Sequence, residues 1–196
     1  MRVALLLFAG MLSLPAQAQP QIRELPRAVL EAAPALRPAG QGSFRWFGLL
    51  IYDAALWTQP AGGMGGAAVP EGSGAEAPRA WTPARAAALS LRYARELRGQ
   101  DIAQRSIEEI EQLGMGNAEQ RTRWLAAMRA LFPDVKRGSV LTGLHLPGRG
   151  ARFFSDGERL GDIDDEAFSR AFFSIWLDER SSAPALRAAL LGERAP

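Results

Sequence analysis

The sequence predicts an α+β protein of antiparallel strands and amphipathic helices, on the strength of three stretches. Residues 87–97 alternate Leu89, Leu91, Tyr93 and Leu97 with Ser90, Arg92, Ala94 and Glu96, the pattern of a half-buried antiparallel strand. Residues 101–113 then space Ile107, Ile110 and Leu113 along one face of a helix that Gly114 ends. Further on, Asp156-Gly157 follows a short strand at 151–155 and signals a tight hairpin.

The elements follow in order. Residues 1–18 read as a secretory signal: Arg2, an apolar run over 3–14, then Pro15 and Ala16-Gln17-Ala18 as the cleavage pattern. Twelve residues are too few for the ~20 that a membrane-spanning helix needs, and no later stretch is long and apolar enough. Cleavage after Ala18 leaves 19–196 as one domain in the periplasm or outside the cell. Residues 42–57 read as one extended strand, with Phe44, Trp46, Leu50 and Tyr52 on one face and Arg45, Phe47, Leu49 and Ile51 on the other. Residues 60–78, rich in Gly, Ala and Pro, have little to bury and read as a flexible loop.

After the strand at 87–97, Asp101 with Gln104 reads as a helix cap, and Asn117 with Gln120 repeats the device. The second helix spaces Trp124, Leu125, Met128, Leu131 and Phe132 before Pro133 stops it. Strands at 139–146 and 151–155 and a brief returning strand follow. Asp164 or Asp165 then opens a helix whose stripe is Phe168, Phe172, Ile175 and Trp176, and a last helix starts near Ser182 and Pro184 and closes at Gly192.

Composition excludes several functions. The chain has no cysteine, hence no disulfide framework and no thiol chemistry. It carries 23 basic and 21 acidic residues, too even a balance to suggest nucleic acid. His145 is the single histidine, and with no nucleophile motif or carboxylate cluster beside it, it reads as a half-buried sheet residue. Asp162, Asp164 and Asp165 lack the spacing of a calcium loop and read as capping residues. Arg92 is either a ligand anchor or a sheet-face arginine paired with Glu96. Tyr52 and Tyr93, the only tyrosines, read as core residues with satisfied hydroxyls, and the stripe of Phe168, Phe172 and Trp176 as core before tunnel wall.

Five stretches in order, FGLLIYDAALW, LSLRYARELRGQDIAQRSIEEI, LFPDVKRGSVLTGLHLPGRG, FFSDGERLGDI and FFSIWLDERSSAPALRAALLG, resemble the chalcone isomerase-like family, nearest its secreted bacterial branch, over residues 36–192. The resemblance implies a chalcone isomerase-like open-faced β-sandwich: an antiparallel sheet with one face covered by a layer of helices and a ligand cleft between. Plant enzymes of this fold close a chalcone to a flavanone with an Arg, a Thr, a Tyr and an Asn in the cleft. Carried over by motif, the Thr position falls at Phe47, the Tyr at Ile102, the Asn at Glu109, and the Arg near Arg37; a further polar position falls at Ser174. Losing one positioned acid or base costs ~10² to 10⁴ in rate, so the plant reaction is not expected, and no residue is put forward as catalytic.

The same resemblance implies non-catalytic members that hold fatty acids, and Phe47 and Ile102 would make the cleft more apolar. The expectation is therefore a protein that binds a small apolar or amphipathic molecule such as a fatty acid, without a cofactor or metal, through Arg37, Phe47, Arg92, Ile102, Glu109 and Ser174. No nucleic acid, integral membrane segment or identified protein partner enters it. Two alternatives stay open: an isomerase or lyase that uses Arg37, Tyr93 or Glu109 in new roles, and a structural partner in a cell-envelope complex.

Overall fold

The computed structural model describes residues 24–60 and 81–193. Helix α1 (Arg27–Ala32) leads into strands β1 (Arg37–Trp46), β2 (Leu49–Thr58) and β3 (Ala87–Tyr93). Helices α2 (Gly99–Gln112) and α3 (Ala118–Leu131) precede β4 (Val140–Leu146), β5 (Gly150–Ser155) and β6 (Glu158–Ile163), and α4 (Glu166–Leu177) and α5 (Pro184–Leu190) close the chain. The six strands form one antiparallel sheet in sequence order, β1 to β6. The signal at 1–18, and the loop at 60–78 from residue 61 onward, lie outside the described residues.

The alternation of each strand divides two cores. Leu56, Leu89, Leu91, Leu141 and Phe153 point towards α2, α3, α4 and α5, the helix layer that the resemblance implied. Trp57, Ala88, Leu144 and Phe154 point the other way and meet Leu25, Val29 and Leu36 of the α1 segment. This second cover corrects the half-buried reading of β3. Ser90 is fully buried and shares a 2.8 Å hydrogen bond with Thr142 of β4, because the α1 segment packs beside it.

The single strand expected over 42–57 is a hairpin. Phe47 and Gly48 both have positive φ, 47° and 78°, as a type I′ turn requires. Phenylalanine gives no hint of that conformation. The Asp156-Gly157 hairpin has the same geometry, with φ of 49° and 91°. Asn117 and Gln120 form a reciprocal capping box on α3, and Asp165 caps α4 by accepting from the Phe168 amide.

Asp101 does not cap α2. It sits in the first turn, paired with Arg98 at 2.8 Å, while Asp134 accepts the Gly99 amide at 2.8 Å. Gly99 itself is required there: a Cβ would stand 2.0 Å from the carbonyl oxygen of Phe132. On β1 a Cβ at Gly40 would stand 2.2 Å from the Ala189 carbonyl oxygen, so the missing side chain lets α5 lie against the strand.

Candidate ligand cavity between sheet and helices

A cavity of about 470 Å³ opens between the sheet and the helix layer, within the ~300–1,000 Å³ of small-molecule sites. The sheet side supplies Tyr52, Leu89, Leu91, Tyr93, Leu141 and Phe153. Helix α2 adds Ile102, Arg105 and Glu109, and α4 adds Phe172, Ile175 and Trp176. Period two on the strands and near-period-four spacing on the helices bring these residues to one space.

The tyrosines form the polar part of the sheet wall. Tyr52 and Tyr93 are register partners on β2 and β3, with ring centroids 5.9 Å apart, and Tyr52 stacks on Phe44 of β1 at 5.2 Å. Trp176 Nε1 donates to the Tyr52 hydroxyl oxygen at 3.0 Å. Burial pushes both phenols above their ordinary pKa; at Tyr52 the Trp176 hydrogen bond opposes that rise and the nearby Glu109 carboxylate adds to it. Both hydroxyls are thus neutral at physiological pH. The Tyr93 hydroxyl has no hydrogen-bond partner among the described residues, contrary to the satisfied hydroxyl expected of it.

Arg105 and Glu109 stand one turn apart on α2 and form a close ion pair. The Glu109 side chain is 9% exposed and that of Arg105 is 50% exposed, so the pair runs from the wall to the solvent. Arg105 also reaches Glu108 at 3.5 Å, and its Cζ lies 5.8 Å from the Trp46 ring centroid, within cation–π range. Ser106 Oγ donates to the Ile102 carbonyl at 2.8 Å, and Asp101 is engaged by Arg98.

Of the residues put forward from sequence, Ile102 and Glu109 line this cavity and four do not. Phe47 sits at the hairpin tip, 89% exposed, because the turn at 47–48 carries it past the end of the sheet. Arg37 donates to the carbonyls of Pro34 and Leu36. Arg92 lies on the α1 side of the sheet, in a cleft with Glu24, Glu31 and Arg159, and no ion pair joins it to Glu96 among the described residues. Ser174 is buried in α4, away from the cavity lining.

Sequence reasoning passed over Arg105, although its spacing from Ile102 and Glu109 puts all three on one face of α2. The α4 stripe is core, as expected, with Phe168, Phe172 and Trp176 all buried, and Phe172 and Trp176 face the cavity as well. His145 is fully buried, not half-buried: Nε2 lies 2.8 Å from the Pro83 carbonyl and Nδ1 2.7 Å from Ser169 Oγ. The carbonyl can only accept, so Nε2 carries the proton and Nδ1 accepts from the serine. Capping accounts for Asp165 but not for Asp162, which is paired with Arg152 across β5 and β6 at 2.8 Å.

An antiparallel sheet with helices layered over one face and an apolar cavity between the layers defines the fold class. Within that class the chain belongs to the chalcone isomerase-like family, whose model matches residues 69–192. A crystal structure of a fatty-acid binding protein of Arabidopsis thaliana superposes with a TM-score of 0.56 at 13% identity, over 80% of this chain and 87% of that one. An uncharacterized protein of Haemophilus influenzae is 34% identical over 105 residues, 54% of this chain. The chain spans about half the length of that curated relative, 51%.

Proposed function

We propose that the protein binds a small apolar or amphipathic molecule in this cavity without converting it, in the periplasm or outside the cell after loss of residues 1–18. The observation that carries the reading is the cavity wall itself. It is almost wholly hydrocarbon and aromatic, and its charged side chains already have partners: Arg105 with Glu109, and Asp101 with Arg98. A wall of that kind favours ligand burial over chemistry. Each methylene buried contributes ~0.8 kcal/mol, against about 0.5–1.5 for a neutral hydrogen bond, so affinity would come chiefly from an apolar tail. The Arabidopsis structure, a fatty-acid binding protein of the same fold, supports long-chain compounds as the first ligands to try.

The test is displacement of a fluorescent apolar probe by long-chain compounds, on the wild type and on Ile102→Trp, which fills the cavity from α2. Saturable one-to-one binding that weakens at least about tenfold in the variant, with unfolding still cooperative, is the expected result. A wild type with no saturable binding would overturn the reading. Location is tested by cell fractionation and N-terminal sequencing, with Gln19 as the expected first residue.

A further inference from the structure

We infer that the cavity selects an uncharged ligand bearing a hydrogen-bond-accepting oxygen, an ester or ketone on an apolar tail, over the corresponding free carboxylate. The inference rests on the ligand-binding reading above and concerns what the polar groups of the same wall can recognise.

Arg105 is the one cationic side chain on the wall among the described residues. It is held by Glu109 and lies within 3.5 Å of Glu108. An entering carboxylate that took Arg105 would leave Glu109 unpaired at 9% exposure, and a buried charge that loses its partner is strongly destabilising. One that left the pair intact would lie beside the Glu109 carboxylate and give up its hydration for no cation. Asp101 adds a second acidic group to the same wall. A cationic head fares no better, because both carboxylates are already paired and Arg105 stands between them on α2.

The remaining polar groups suit a neutral acceptor. Tyr52 accepts the Trp176 indole N–H, which leaves its own O–H to donate. The Tyr93 hydroxyl stands beside it on the neighbouring strand with no partner among the described residues, and burial keeps both phenols protonated. Two neutral donors on adjacent strands can meet one carbonyl oxygen, and such an oxygen brings no charge to desolvate.

The experiment compares ligands with one tail and different heads, displacing a neutral fluorescent probe from the mature protein at neutral pH: methyl hexadecanoate, hexadecanoic acid and hexadecane. The ester is expected to bind about tenfold tighter than the acid and than the alkane, the worth of one well-made hydrogen bond. Tyr93→Phe should narrow the ester's advantage over the alkane, because the Tyr52 hydroxyl alone then donates. Glu109→Gln, on the α2 wall, should raise affinity for the acid by freeing Arg105, and it tests the inference even if Tyr93→Phe does not fold. An acid that outcompetes the ester, or an ester no tighter than the alkane, overturns the inference while leaving ligand binding in place. Failure of all three ligands to displace the probe overturns both.

Discussion

The indole nitrogen of Trp176 donates to the hydroxyl oxygen of Tyr52 across 3.0 Å, joining α4 to β2 through the cavity wall. Both residues are largely removed from solvent, so the bond ties the helix layer to the sheet. Tyr52→Phe would leave the indole N–H without its acceptor. The expected cost is about 1–2 kcal/mol, measured by urea unfolding, because a stranded buried donor loses more than a hydrogen bond is worth net.

His145 makes stability depend on pH near neutrality. Burial holds its pKa below the ordinary imidazole value, so the folded state takes up its proton only at lower pH than the unfolded chain does. Stability is then complete above ~6.5, the unfolded value, and is lost as pH falls below it, by up to about 1.4 kcal/mol per unit until the folded pKa is passed. As the single histidine, His145 should account for most of the slope between pH 7 and 5. Thermal unfolding across that range should show the decline in the wild type and a flatter profile in His145→Asn.

Asp162 acts at a lower pH. The Arg152 guanidinium, its hydrogen-bonded partner across β5 and β6, holds the carboxyl down to about 2, with Arg159 assisting. A depressed folded pKa gives stability that is present above ~4 and is lost as pH falls towards 2. Asp162→Asn should cost about 1–2 kcal/mol at neutral pH and remove part of the acid-unfolding slope below 4, read from unfolding midpoints.

Phe47 occupies the left-handed region at φ 47° with 89% of its surface exposed. The conformation costs a non-glycine residue about 1–2 kcal/mol, and little burial offsets it. Phe47→Gly should therefore raise stability by about 1 kcal/mol in chemical denaturation and leave ligand binding unchanged.

What could be read from sequence was mostly local. Asn117 and Asp165 cap their helices and Asp156-Gly157 turns its hairpin because each motif is complete within four residues. The hairpin at Phe47 was hidden because the turn lacks the Asn or Asp that announces positive φ. The α2 cap was hidden because Asp134 reaches Gly99 from 35 positions away, and the Trp176–Tyr52 bond spans 124. Ile102 and Glu109 were found through the family resemblance, whereas Arg37 and Arg92 are strand residues whose side-chain direction depended on a register and a second sheet face that no motif revealed.

Native mass spectrometry of the mature protein, purified gently from its own compartment and then denatured to identify what is released, decides whether the cavity holds an apolar molecule. A stoichiometric mass excess from one small, largely apolar compound, lost on denaturation and reduced in Ile102→Trp, is the expected result. A bare polypeptide mass that stays bare after incubation with long-chain esters and acids would contradict it.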